Sequence, residues 1–203
     1  MNNFITKQFP YIKENQQAFI KTSQLAHKRF LFNFAQVNKT LSSTFFYRYY
    51  NIFALTVGCS FYYKLFYDVQ KTIRAFSNTN KPLWFQSWLN FHKKDEVLNW
   101  HSHADVLFHW YISIDPKNTI TEFEDYEIKN EIGLMYIGPG YKKHRVKVLE
   151  DFKDERITIA FDVMSEEVYK KNKLKYGEID INTGFIPVLI WLIISINNMI
   201  TFS

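Results

Sequence analysis

Tyr62, Phe66, Val69, Ile73 and Phe76 are spaced four, three, four and three apart, which places their apolar side chains on one face of an α-helix. The run SNTNKP, Ser77 to Pro82, predicts the end of that helix, because turn formers accumulate there and proline disfavours helix at the residue before it. The rest of the first eighty residues also reads mainly as helix. Residues 1–81 are therefore expected to form a helical segment that packs on the remainder of the chain.

Beyond Pro82 the period changes from that of a helix to that of a strand. LWFQSWLNF, VLNWHSH, LFHWYISI, TEF, YEI, LMYI, RVKVL and RITIAFDV are short alternating or β-branched segments. They are separated by turn signals at Asp115 to Asn118 and at the GPG of Gly138 to Gly140. Many short strands with turns at this frequency predict an antiparallel barrel or jelly roll, here over residues 82–188. A polar surface helix is expected within it at about 164–175, and an apolar tail follows at 189–203. The expected fold class is mainly β with helices: a jelly roll preceded by N-terminal helices that cover one sheet.

Composition narrows the class. Of the 203 residues, 47% are hydrophobic and 22% charged, as in an ordinary globular chain, while the aromatic share of 19% is high. The formal charge of +5 is spread among acidic residues and accompanies no recognised motif, which argues against a nucleic-acid partner. A single cysteine, Cys59, excludes an internal disulfide and fits the cytosol. Lys7, Pro10 and Lys13 interrupt the N-terminal stretch, so no secretory signal is expected. The stretch 44–64 carries Arg48, Asn51, Gly58 and Ser60, and the run FIPVLIWLIISI covers only residues 185–196, short of the roughly 20 apolar residues that cross a bilayer. A buried strand or an oligomer contact is the expectation for that run, with contact at a membrane surface as the lesser reading.

The candidate chemistry lies in the histidines. His101, His103 and His109 fall close together and His144 follows downstream. On an extended strand, residues two apart share a face, so His101 and His103, with Asp105, point the same way. Their Cβ atoms would stand roughly 6–7 Å apart, near enough for both rings to reach one ion. His144 opens the segment HRVKV just after the GPG turn and is the candidate third ligand. Three protein ligands leave further coordination positions open, as catalytic sites do; the plainer reading of an HxH strand is a polar surface face. In RITIAFDV, Arg156, Thr158, Ala160 and Asp162 alternate with Ile157, Ile159, Phe161 and Val163. If the polar face looks inward, a guanidinium there needs an anion such as a carboxylate, with Thr158 adding a hydrogen bond; otherwise Arg156 is simply solvated.

The order HxH, a distal histidine after a GPG turn, then Arg-x-Thr about a dozen residues on, resembles the non-haem iron(II) and 2-oxoglutarate dependent oxygenases. WFQSWLNFH, NWHSH, YISIDP, IGPGYKKHRV and RITIAFDV together look most like the oxygenase-type proteins of T4-like phages of marine cyanobacteria. The resemblance spans roughly residues 82–163, with FIPV at 185–188 as a further element. It implies a double-stranded β-helix that holds Fe(II), with 2-oxoglutarate on the metal and its far carboxylate on Arg156 and Thr158. The implied activity is hydroxylation of an unknown primary substrate by molecular oxygen, coupled to decarboxylation of 2-oxoglutarate, in a host cell's cytoplasm if the chain is phage-encoded. Most of that family uses His-x-Asp, so two ligand sets stay open: His101, His103 and His144, which we prefer because WHSH carries the resemblance, or His103, Asp105 and His144. Asn90, His92, His109 and Tyr136 are further candidates for the pocket wall. Two other readings stand beside this one. HSH and PGYKKH also resemble the two halves of a cupin metal site, which needs no 2-oxoglutarate, and a jelly roll can serve as a non-catalytic assembly module.

Overall fold

The computed structural model describes residues 3–34, 51–56, 58–96, 99–172 and 178–180. The apolar run at 185–196, the tail at 189–203 and FIPV lie outside the described residues, as do positions 44–50 and 57 of the stretch 44–64. Among the described residues, no helix is long and apolar enough to cross a membrane.

The chain begins with a short strand, β1 (Ile5–Gln8), followed by helices α1 (Pro10–Glu14), α2 (Gln16–Phe34), α3 (Ile52–Leu55) and α4 (Ser60–Ser77). The predicted apolar face of α4 is buried at Tyr62, Phe66, Val69 and Ile73. The helix ends where Asn78 takes a left-handed conformation and its backbone N–H donates to the Arg74 carbonyl. Strands β2 (Leu83–His92), β3 (Phe108–Asp115), β4 (Thr119–Phe123), β5 (Glu127–Lys129), β6 (Leu134–Pro139), β7 (His144–Val148), β8 (Arg156–Ser165) and β9 (Glu178–Asp180) follow, with α5 (Glu166–Asn172) inserted before the last. They form a six-stranded sheet in the order β1-β6-β3-β8-β2-β9 and a three-stranded sheet in the order β5-β4-β7. All pairings are antiparallel. The architecture is the expected jelly roll with helices at its N-terminus.

Period-2 alternation divides the large sheet into two unlike faces. On β2, Phe85, Leu89 and Phe91 join the main hydrophobic core, and on β8 Ile157, Ile159, Phe161 and Val163 do the same. The helices supply the other half of that core through Ile12, Phe19, Phe30, Phe53, Leu65, Phe66, Val69 and Ile73. Phe53 is the contact point between α3 and the sheet: its ring stacks on Phe161 at 5.6 Å between centroids and lies 5.8 Å from Phe85. Trp110 stacks on Phe161 at 3.7 Å. The opposite face of the sheet carries Gln86, Asn90 and His92 from β2, His109 and Tyr111 from β3, and Arg156, Thr158 and Asp162 from β8, and it lines a cavity.

Two local expectations differ from the structure. Residues 5–8, expected within a helical segment, form an edge strand paired with β6, because these exposed residues just before Pro10 gain ladder hydrogen bonds that a first helical turn cannot supply. Of VLNWHSH, expected as a strand, the described residues 99–103 contribute a single bridge, His101 to His144. The alternation stops at Asp105, whose φ of 63° turns the chain; of non-glycine residues, aspartate is among those that tolerate this conformation best.

Phe161→Ala should remove the ring on which Trp110 and Phe53 both stack and cost about 3–5 kcal/mol of unfolding free energy. Urea denaturation followed by tryptophan fluorescence checks this. A loss under about 1 kcal/mol would mean that the layer between helices and sheet collapses around the gap.

Candidate metal centre

The site begins with a backbone pairing. His101 N–H donates to the His144 carbonyl at 3.0 Å, and His144 N–H donates to the His101 carbonyl at 2.9 Å. Two residues that exchange both bonds across an antiparallel pair lie directly opposite one another and project their side chains to the same face. Their rings accordingly sit 4.3 Å apart between centroids. Two residues on, His103 N–H donates to the Gly140 carbonyl at 2.9 Å, which holds the WHSH segment against the turn that precedes β7. Gly140 is glycine for lack of room: a Cβ there would meet Val106 Cγ2, would lie 2.7 Å from the Val106 carbonyl oxygen and 3.0 Å from that of His103.

One ligating nitrogen from each of His101, His103 and His144 lies within 4.8 Å of the others. An ion held at about 2.1 Å from each would draw them to about 3–4 Å of one another, within reach of small side-chain rotations. The tautomers suit this. His101 Nδ1 lies 2.7 Å from the Asn99 carbonyl and His144 Nδ1 lies 3.2 Å from the Lys142 carbonyl. A carbonyl only accepts, so both rings carry their proton on Nδ1 and leave Nε2 as the donor atom for a metal. His103 Nδ1 lies 2.8 Å from Asp162 Oδ1, while its Nε2 is buried with no hydrogen-bond partner among the described residues. Imidazole nitrogens in such a set suit zinc, copper, iron or nickel.

Burial favours the neutral, ligating form of His101, His109 and His144. Burial lowers the pKa of His101. For His144 it is the largest cause of a strong depression, which the neighbouring histidines deepen. His109 is pushed down to about 3, by burial first and then by His103. Asp162 behaves oppositely: burial pushes its carboxyl up, but His103 and His109 outweigh this and hold it at about 2.

The histidines open on a cavity of about 660 Å³ lined by both sheets, with Thr121 and Val146 facing it from the small one. Arg156 and Thr158 line the same cavity and are 3% and 1% exposed. Burial lowers the Arg156 pKa to about 10, so its guanidinium remains charged at neutral pH. Arg156 makes no ion pair with a described residue, and its Nε has no hydrogen-bond partner there. Thr158 Oγ1 accepts from Asn90 Nδ2 at 3.4 Å.

Of the residues singled out from the sequence, His101, His103 and His144 converge, and His109 packs on His103 at 3.8 Å and on His144 at 4.5 Å. Arg156, Thr158, Asn90 and His92 line the cavity. Asp105 lies at the exposed rim, outside both groups of converging donors, since the left-handed turn at this residue takes it off the face of His101 and His103. Tyr136 is not among the cavity-lining residues; its side chain packs with Tyr111, Phe123 and Ile128, and its hydroxyl lies 3.1 Å from that of Tyr126. Asp162 belongs to the second converging group, with His103 and His109. Sequence reasoning did not single it out, although it shares the parity of Arg156 and Thr158 on β8.

No family model and no curated protein matches the chain. Solved structures with a similar fold include the nickel complex of the non-haem monooxygenase ThoJ, at 10% identity and a TM-score of 0.51, over 81% of this chain and 74% of that one. A 2OG-Fe(II) oxygenase family oxidoreductase from Burkholderia pseudomallei is similar at 13% identity and a TM-score of 0.38, over 47% of this chain and 51% of that one. A cupin-2 domain protein from Shewanella frigidimarina is similar at 21% identity and a TM-score of 0.29, over 43% and 74%. At 10% identity the likeness to the first of these is one of fold alone.

His144→Ala is expected to weaken Co(II) or Fe(II) binding by more than about a hundredfold, whereas Asp105→Ala should change it by less than about threefold. Calorimetric titration of untagged protein under argon checks both. Equal losses in the two variants would place the aspartate among the ligands instead.

Proposed function

We propose that the chain is a non-haem iron(II) oxygenase that uses 2-oxoglutarate, with His101, His103 and His144 as the metal ligands and Arg156 as the cosubstrate anchor. The observation that carries the choice is Arg156, a charged guanidinium buried in the wall of the histidine-lined cavity and paired with no carboxylate of the described residues. A buried cation without a counter-ion is costly. A dicarboxylate that reaches from the histidines to Arg156 relieves that cost, through a planar fork of N–H donors matched to a carboxylate. Thr158, two residues along the same face of β8, offers its hydroxyl to the same oxygens.

The residues divide the work by position. The three histidines would hold the ion by their Nε2 atoms and leave the remaining coordination positions towards the cavity. Arg156 and Thr158 orient the far end of the cosubstrate, so that its oxo-acid end is presented to the ion. Iron(II) bound there supplies the redox chemistry that couples decarboxylation of 2-oxoglutarate to succinate with oxidation of a primary substrate by molecular oxygen. The apolar helix-facing layer closes the sheet behind the site and keeps water from entering on that side.

A cupin-type metalloprotein that takes no 2-oxoglutarate is the second reading, favoured by one observation: the converging trio consists of three histidines, without a carboxylate.

Arg156→Met separates the two. It should leave metal affinity unchanged and weaken 2-oxoglutarate binding by about 2–5 kcal/mol, thirtyfold or more. The ligand-free variant should be no less stable than the parent, because the substitution removes an uncompensated buried cation. Binding of 2-oxoglutarate to the Co(II)-loaded protein, together with succinate release by the Fe(II)-loaded protein, checks the proposal. Unchanged cosubstrate affinity in Arg156→Met, or no succinate from the parent protein, would favour the cupin reading.

A further inference from the structure

The three proposed ligands are not held alike. His101 and His144 each donate Nδ1–H to a backbone carbonyl two residues earlier in the chain, those of Asn99 and Lys142. These acceptors travel with the ligand's own segment. His103 has its acceptor on a different strand: its Nδ1 lies 2.8 Å from Oδ1 of Asp162, on β8. The same oxygen lies 3.3 Å from His109 Nδ1, and Asp162 stands opposite His109 in the β3–β8 register. The His103 ring is stacked on His109 at 3.8 Å and 23°, and lies 6.3 Å from Trp88 at 25°.

We propose that Asp162 is the positioning residue of the metal centre: it locks His103 in the Nδ1–H tautomer and aims Nε2 into the site. This rests on the assignment of His101, His103 and His144 as ligands. A carboxylate behind a ligating imidazole sets ring orientation and raises ligand basicity. The competing use of the same atoms is direct chelation, since His103, His109 and Asp162 also form a converging group. That arrangement would bind the ion through His103 Nδ1 and move its proton to Nε2, which is buried and has no acceptor among the described residues. A buried N–H would then go unsatisfied, at the full cost of its desolvation. With Asp162 as acceptor, the proton is satisfied and the bare nitrogen is the one left for a ligand. His109, on the same carboxylate, acts as the second strut that keeps the His103 ring plane fixed.

Two measurements on the full chain test this. Long-range ¹H–¹⁵N spectra of the metal-free protein should show His103 as a single Nδ1–H tautomer, and Asp162→Ala should lose that uniqueness. Co(II) titration of Asp162→Ala should give one ion per chain, as in the parent, with affinity lower by about 10–100-fold. Asp162→Asn retains a carbonyl acceptor in the same place and should restore the tautomer and most of the affinity, which also separates the effect from misfolding. The proposal is overturned if Asp162→Ala binds Co(II) as tightly as the parent, or if it loses binding as completely as His144→Ala, the behaviour of a direct ligand. A parent protein that binds no Co(II) would sink the ligand assignment instead, and the tautomer spectra would then decide the role of Asp162 alone.

Discussion

The reciprocal backbone hydrogen bonds between His101 and His144 hold together segments that the chain keeps far apart. The pairing places two imidazoles on one face without calling on any side-chain contact, so it holds whether or not an ion is present. Everything else at the centre is arranged around it. Gly140 admits the WHSH segment against the turn before β7, His103 follows on the same side, and the left-handed backbone at Asp105 carries the chain away towards β3. A single bridge rather than a full strand does this, and it leaves the mouth of the cavity formed by a loop.

The large sheet lets one layer serve both stability and chemistry. Its helix-facing side is packed with aromatic and branched side chains around Phe161, and that side carries the burial that stabilises the fold. Its other side gathers buried polar groups, among them Asn90, His109, Arg156, Thr158 and Asp162, which cost free energy unless each finds a partner. Such a concentration departs from what packing alone would choose. Departures of this kind are expected where a protein binds a ligand.

Charge is distributed along the cavity in a definite order. Asp162 lies behind His103 and His109 as an ionised carboxylate, burial favours the neutral form of His101, His109 and His144, and Arg156 stays positive on β8. A divalent cation is attracted towards the carboxylate end and an anion towards the guanidinium end. A dicarboxylate that chelates such a cation would meet the guanidinium with its far end, and for that reason the proposed function rests on Arg156 as well as on the histidines.

Much of this was legible in the residues. The apolar face of α4, the strands of the jelly roll and the parity that sets Arg156 and Thr158 against Ile157 and Ile159 all follow from local periodicity, because a side chain's direction on a regular element is set by its neighbours in sequence. The histidine trio was legible from the spacing of His101 and His103, although their segment forms a bridge rather than the expected strand, and from the place of His144 after a glycine turn. Which faces meet was not legible. Alternation along β8 says that two faces exist; only the packing of the helices on one of them makes the other the cavity wall and turns Arg156 from a solvated residue into a buried cation. Asp162 escaped notice because its partners, His103 and His109, reach it across strand pairings that no local pattern encodes. Asp105 looked equivalent to His103 until one backbone torsion removed it from the face. The chain by itself determined which side chains share a surface, and the tertiary structure decided which surfaces enclose a common space, since closure depends on long-range hydrogen bonds and burial rather than on the order of neighbouring residues.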